Sequence, residues 1–105
     1  ALEVESALVT HPAVAEAACV AFPDPVMGEV GVAVCVARPG TAVEEGELIA
    51  WLSADVARYK LPRRVFFWDS LPKSGYGKVT KRAIREGLEE RGDLPLDGRT
   101  VRQSR

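Results

Sequence analysis

The chain has 105 residues, of which 47% are hydrophobic, and its 15 acidic and 14 basic residues give a formal net charge of -1. This length supports one modest core and no second domain, and the apolar runs are far shorter than the ~20 residues that span a bilayer. No charged-then-apolar leader is visible, so we expect a cytoplasmic domain without a membrane span.

The first third of the chain predicts a helix followed by a strand pair. Residues 2–10 have a helical pattern that should end near His11, because Pro12 restricts the residue before it. Two runs rich in alanine and valine follow, at 14–22 and 30–37. The β-branched valines favour strands, and the turn residues between the runs predict an antiparallel pair.

The middle third predicts a long helix and a third strand. Thr41 and Glu44 form a capping-box pattern, which should open a helix that runs to about Tyr59 and stops before Pro62. Its apolar stripe would consist of Leu48, Ile49, Leu52, Val56 and Tyr59. The compact apolar run at 65–68 then predicts a strand.

The last third predicts one more helix and a tail. Residues 80–91 should be helical, with Thr80 as the N-cap and Ile84 and Leu88 on one face. Residues 93–105 lose this periodicity, so we expect a frayed tail after a domain that occupies residues 1–92. The elements together predict an α+β fold, a three-stranded sheet flanked by three helices, for which we favour the strand order 2-1-3.

Charge divides the chain into two unequal parts. Residues 1–57 carry nine acids and only Arg38, a net charge of -8, whereas residues 58–105 carry a net charge of +7. The basic part is either an ordinary solvated surface or a surface that meets phosphates. A nucleic-acid role is not expected, because there is no recognition-helix motif, no aromatic platform interleaved with the basic residues, and the overall pI is acidic.

The cysteines and the histidine indicate no metal site. Cys19 and Cys35 lie in strand-like apolar runs and are expected to be reduced core thiols. His11 is the only histidine, and no residues have the spacing of zinc ligands. We expect His11 to cap a helix end or lie at the surface.

The most informative segment joins the third strand to the last helix. Pro72, Gly75 and Gly77 interrupt both patterns, so a loop that can move should hold Lys78 between ordered ends. A long cation on such a loop suits phosphoryl or carboxylate chemistry, in which the charge must arrive and then leave.

This segment resembles a motif of the adenylate-forming enzymes, which include acyl-CoA synthetases, aryl-CoA ligases, luciferases and peptide-synthetase adenylation domains. The matching residues are Leu71, Pro72, Lys73, Gly77, Lys78, Val79, Lys81, Arg82, Ile84 and Arg85. Further matches recur in the family's order at 4–8, 11–14, 22–25, 28–29 and 58–62. Tyr76 departs from the usual Ser or Thr before the glycine.

The resemblance implies that the chain is a C-terminal lid domain, inactive alone, of an acid-thiol ligase. Its partners would be a large N-terminal ATP-binding domain, ATP with Mg²⁺, an acyl carboxylate and CoA. Lys78 would serve adenylation, with Gly75 and Gly77 supporting its loop. Lys73, Lys81 and Arg82 are weaker candidates for phosphate contact.

Other readings of the same residues stay open. The chain is alternatively a freestanding lid-like module that binds a partner protein without catalysis, or the lid of an adenylation domain that loads a carrier protein. The Pro72, Gly77 and Lys78 pattern also resembles the context in which bacterial acyl-CoA synthetases are acylated. A lysine acetyltransferase and a deacetylase acting on Lys78 are therefore expected partners.

Overall fold

The structure, a computed structural model, describes residues 2–24, 26, 28–73 and 77–92. The chain divides into two units, Ala1–Leu71 and Pro72–Arg105. The first unit holds two α-helices, one 3₁₀ turn and three strands, and the second holds one α-helix. The predicted α+β class with three helices and a three-stranded sheet is confirmed.

The first helix, α1, is shorter than predicted. It spans Leu2–Leu8, and the chain then turns, with the His11 N–H donating to the Leu8 carbonyl at 3.0 Å. The His11 ring lies within the fold, where Nδ1 accepts a hydrogen bond from the Ala13 N–H at 3.0 Å. His11 is buried rather than at the surface, and its side chain bonds the chain just before the first strand rather than an end of α1.

The sheet is mixed, and its strand order differs from the one that we favoured. Strands β1 (Val14–Asp24) and β2 (Gly28–Ala37) pair antiparallel, as predicted. Strand β3 (Arg64–Phe67) pairs parallel with β2, so the order is β1-β2-β3 rather than 2-1-3.

The Glu5 carboxylate meets the edge of β1 that faces away from β2. The Cys19 N–H, in the middle of β1, donates to Glu5 Oε2 at 2.6 Å. Helix α1 thereby occupies the outer edge of β1 and satisfies a backbone donor that another strand would otherwise need. The remaining edge of β2 is left for β3.

The core of the first unit lies between one face of the sheet and the helices α1 and α2 (Glu45–Ser53). Cys19 and Cys35 are buried thiols that form no disulfide, as expected. Burial, together with the nearby Cys19, raises the pKa of the Cys35 thiol to about 12. The buried cluster consists of Val4, Leu8, Val14, Cys19, Ala33, Cys35, Leu48, Leu52, Val56 and Val65.

The predicted capping box of α2 is wrong. Glu44 is the N-cap and its side chain makes no capping hydrogen bond, while the Thr41 hydroxyl donates to the Arg38 carbonyl at 2.7 Å. Glu45 instead reaches β3, where its Oε2 accepts from Arg64 Nε at 2.6 Å and from the Val65 N–H at 2.8 Å.

Helix α2 also ends earlier than predicted, at Ser53, and a 3₁₀ turn follows at Arg58–Lys60. Continuing to Tyr59 would have carried the chain about 9 Å further along the helix axis. The chain must instead return to pair with β2. The Arg63 N–H donates to the Gly31 carbonyl at 2.7 Å, where β3 begins.

The second unit contains α3, Lys81–Glu90, which agrees with the prediction. Thr80 is its N-cap, and the Thr80 hydroxyl accepts from the Ala83 N–H at 3.1 Å. Ile84 and Leu88 are fully buried. Gly92 follows the helix with φ of +79°, the left-handed conformation that commonly ends a helix. The tail predicted at 93–105 lies outside the described residues.

Candidate functional site

Lys78 lies outside regular secondary structure, two residues before the N-cap of α3. Gly77, just before it, has φ of +77°, a backbone conformation that favours glycine. The Lys78 side chain is exposed and, among the residues that the structure describes, makes no hydrogen bond or ion pair. Its ammonium is therefore available to an anion. Gly75, the other predicted support of this loop, lies outside the described residues.

The other predicted phosphate contacts surround the same segment in sequence. Lys81 and Arg82 are the first two residues of α3, and both are exposed, as is Lys73. Arg82 Nε donates to Glu86 Oε2 at 3.2 Å, with 88% of the Arg82 side chain exposed. Such a pair is worth only about 0.3–0.5 kcal/mol, so it does not prevent Arg82 from meeting a stronger anion.

The positive charge at the start of α3 is not explained by helix stability. The first turn contains no acidic residue, although acids stabilise a helix N-terminus and cations do not. The backbone N–H groups at this terminus add to the positive potential of Lys78, Lys81 and Arg82. The segment can therefore attract a phosphate or carboxylate.

A second feature, a groove of about 790 Å³, lies within the first unit. We use "the groove" for this cavity. Its apolar and backbone lining comes from α1, β1, β2 and the end of the 3₁₀ turn, through Val4, Cys19, Val20, Val30, Gly31 and Leu61. Its remaining lining includes the charged and aromatic residues Glu3, Glu29, Arg58, Tyr59, Lys60 and Arg63.

Tyr59 and Lys60 give the groove an exposed aromatic ring and a cation. The sequence pattern assigned Tyr59 to the apolar stripe of α2, which is wrong, because 84% of Tyr59 is exposed. Lys60 Nζ donates to Glu3 Oε1 at 2.8 Å and lies 5.8 Å from the centre of the Tyr59 ring. The hydrogen bond to Glu3, and then the Glu3 charge, raise the pKa of Lys60.

Sequence reasoning missed the groove, although a signal was present. Three cations, Arg58, Lys60 and Arg63, fall within six residues around one tyrosine. This signal was missed because the predicted helix ran to Tyr59 and placed the tyrosine side chain in the core. Arginine recognises phosphate groups and an aromatic face attracts cations, so a cation-rich run beside an exposed aromatic can meet charged ligands.

His11 packs in a polar and aromatic setting away from the groove's lining. Its ring meets Trp51 edge-on, with ring centres 4.7 Å apart, and its Nε2 lies 3.5 Å from Glu47 Oε2. Across the described part of the chain, no three or more His, Cys, Asp or Glu side chains are grouped closely enough to hold a metal ion. No described helix is both long and apolar enough to cross a membrane.

Comparison with known proteins identifies the family. Residues 3–78 match the AMP-binding enzyme C-terminal domain. The chain belongs to this family. The match ends at Lys78, the residue that the sequence analysis singles out for adenylation, and it also includes the groove residues from Glu3 to Arg63.

Curated relatives are ligases of much greater length. A feruloyl-CoA synthase of Amycolatopsis sp. is 45% identical over 83 residues, covering 79% of this chain and 17% of that protein. A 2,3-dihydroxybenzoate-AMP ligase of Bacillus subtilis is 44% identical over 90 residues, covering 85% of this chain and 16% of that protein. The chain thus spans less than a fifth of the length of these relatives.

Solved structures agree with this assignment. ATP-bound MatB from Rhodopseudomonas palustris superposes with a TM-score of 0.79 at 32% identity, covering 85% of this chain and 18% of that one. A fatty acyl CoA synthetase of Mycobacterium tuberculosis superposes with a TM-score of 0.76 at 34% identity, covering 85% and 18% respectively. The fold is that of the C-terminal domain of adenylate-forming enzymes.

Proposed function

We propose that this chain is the C-terminal lid of an ATP-dependent acyl-CoA synthetase and that Lys78 acts in the first of its two half-reactions. In that step a carboxylate oxygen attacks the α-phosphate of ATP and pyrophosphate leaves, giving an acyl-adenylate. In the second step the CoA thiol attacks the acyl carbon and AMP leaves. The observation that carries the proposal is the exposed Lys78 ammonium, without a partner among the described residues, in a chain of this family.

The chemistry of adenylation explains why a lysine is needed. Negative charge accumulates as the carboxylate approaches the α-phosphate, and one ammonium can contact oxygens of both groups. A preorganised charge of this kind is worth about 10²–10³ in rate. Gly77 provides the turn that presents Lys78, while Lys73, Lys81 and Arg82 would add positive potential for ATP, which is bound with Mg²⁺.

The groove is the proposed CoA-side face. The nucleotide end of CoA combines an adenine ring with several phosphates, and the groove combines an apolar lining with an exposed aromatic ring and cations. Tyr59 would contact the base, and Arg58, Lys60 and Arg63 would meet phosphates. In this scheme the lid turns between the half-reactions, presenting Lys78 in the first and the groove in the second.

The two sites need a partner. ATP binding requires a phosphate-cradling loop and a purine pocket. We place both in a large N-terminal domain, which together with this chain forms the complete enzyme. The chain alone would be inactive. Residues 1–92 would form the lid domain, and we place the complete enzyme in the cytoplasm. A lysine acetyltransferase acting on Lys78 would remove its charge and switch off adenylation.

One relative favours a second acceptor. The Bacillus subtilis protein is named an AMP ligase rather than a CoA ligase, so the adenylate formed by this enzyme could instead be passed to a carrier protein. Supplying either CoA or a phosphopantetheinylated carrier protein to the complete enzyme, and measuring thioester formation on each, distinguishes the two acceptors. A lid-like binding module would form neither thioester.

The test is to measure the two half-reactions of the complete enzyme separately. Lys78→Ala should slow acyl-adenylate formation by about 100-fold or more, and thioester formation from supplied acyl-adenylate should fall much less. Arg63→Met should do the reverse. Arg91→Ala is the matched control, since it removes an exposed cation at the far end of α3. Equal losses in both half-reactions for Lys78→Ala would contradict the proposed role.

A further inference from the structure

Glu3 and Lys60 form an ion pair within the groove, which is the proposed CoA-side face. Glu3 lies on α1 and Lys60 in the 3₁₀ turn, and their oxygen and nitrogen atoms are 2.8 Å apart. Both residues line the groove. Their side chains are 49% and 44% exposed, and pairs this exposed contribute little to stability. Fold stability therefore does not account for the pair.

The charges of the groove indicate competition for Lys60. A phosphate entering the groove meets Glu3 as well as the cations, and like charges repel. Glu3 also occupies a hydrogen bond of the one lysine in the groove. Lys60 is a compact charge on a flexible stem, so it can exchange one oxygen partner for another with a small change of its side-chain torsions.

We propose that Glu3 is an affinity-setting residue that holds Lys60 in reserve until a phosphate of the thiol substrate displaces it. The inference rests on the proposed function of the groove as the CoA-side face. In the free state the pair neutralises one cation of the groove. On binding, Lys60 moves from the Glu3 carboxylate to a phosphate oxygen, and Glu3 is left to solvent. Glu3 therefore weakens CoA binding, which favours release of the thioester product.

The experiment compares two thiol acceptors in the complete enzyme. CoA carries the phosphorylated nucleotide, whereas pantetheine has the same thiol arm without it. The readout is kcat/KM for CoA divided by kcat/KM for pantetheine, since only contacts to the nucleotide end change this ratio. Glu3→Gln should raise the ratio, by at most about fivefold for an exposed pair, and Lys60→Met should lower it by a similar factor.

Opposite signs distinguish this role from a structural one. Both substitutions break the same ion pair, so a merely structural pair predicts the same change for both. The gain from Glu3→Gln should shrink as salt rises, because salt screens exposed charges. Glu44→Gln is the matched control, since it removes the same charge from an exposed residue outside the groove's lining.

Two further outcomes distinguish a failure of the role proposed for Glu3 from a failure of the groove's proposed function as the CoA-side face. If Tyr59→Ala and Arg63→Met lower the ratio while Glu3→Gln leaves it unchanged or lowers it, the groove binds CoA but the competition is wrong. If Tyr59→Ala and Arg63→Met leave the ratio unchanged, the groove is not the CoA-side face, and the inference fails with it.

Discussion

The hydrogen bonds of the Glu45 carboxylate should contribute strongly to holding α2 against the sheet. It accepts two hydrogen bonds with one oxygen, from Arg64 Nε at 2.6 Å and from the Val65 N–H at 2.8 Å. The Glu45 and Arg64 side chains are only 32% and 17% exposed. Because β3 has only four residues, losing these hydrogen bonds should loosen its parallel pairing with β2.

The two hydrogen bonds of Glu45 and its position in the first turn of α2 set the expected loss of stability on substitution. A hydrogen bond to a charged group contributes about 1.5–3 kcal/mol, and an acid in the first turn of a helix adds about 0.3–1 kcal/mol. Glu45→Ala should therefore lower the free energy of unfolding by about 3 kcal/mol. Glu45→Gln should cost less, because its amide oxygen can still accept from Val65.

The neighbouring residue provides the control for this prediction. Glu44 is exposed and its side chain makes no capping hydrogen bond, so Glu44→Ala should change the free energy of unfolding by no more than about 0.5 kcal/mol. Urea unfolding followed by tryptophan fluorescence measures both variants, since Trp51 and Trp68 lie in the first unit. Equal destabilisation by the two substitutions would refute the argument.

Three further predictions concern binding, modification and pH. The chain alone should form no acyl-adenylate, and isothermal titration should show ATP and CoA binding no tighter than about millimolar, or -4 kcal/mol; adenylate formation by the purified chain would refute the lid assignment. Treatment with a protein acetyltransferase should modify mainly Lys78 and reproduce the loss seen with Lys78→Ala, whereas mass spectrometry showing even modification of Lys60, Lys73, Lys78 and Lys81 would count against a specific switch. Burial raises the pKa of Cys35 from 9.0 to about 12. The contribution of the neutral Cys35 thiol to the free energy of unfolding is therefore complete below pH 9 and is lost as pH rises toward 12, by at most about 1.4 kcal/mol per pH unit. Cys35→Ala should flatten this decline of stability with pH, and an unchanged slope would contradict the argument.

Local patterns predicted most of the elements. The antiparallel pair follows from two β-branched runs separated by turn residues, and α3 follows from Thr80 with Ile84 and Leu88 at helical spacing. These features depend on residues close in sequence, whose backbone preferences act without the rest of the fold.

Most of the errors involve contacts between distant residues, although the wrong capping box at Thr41 and Glu44 is a local one. The strand order was predicted wrongly, and contacts such as the hydrogen bond from Cys19 to Glu5, 14 residues away, are not revealed by periodicity. The extent of α2 depends on where β3 must return to pair with β2. Tyr59 had helical spacing from Val56, which placed it in the core, but the 3₁₀ turn exposes it, so the groove was missed.

The functional residues were predictable to different degrees. Lys78 was found because glycines and a helix cap flank it within a few residues. The structure presents it as exposed, and its role in adenylation stays a prediction. Arg58, Lys60 and Arg63 belong to a site only because α1, β1 and β2 supply the rest of the groove, which a linear reading does not bring together.

Transplantation tests the central claim, that this chain delivers Lys78 to an ATP-binding domain, most directly. The C-terminal domain of the Bacillus subtilis 2,3-dihydroxybenzoate-AMP ligase, 44% identical over 90 residues, would be replaced by this chain, and ATP–pyrophosphate exchange measured with the acid substrate. We predict that the hybrid with Lys78 exceeds the hybrid with Lys78→Ala by about 100-fold or more. Equal exchange by the two hybrids would contradict the account.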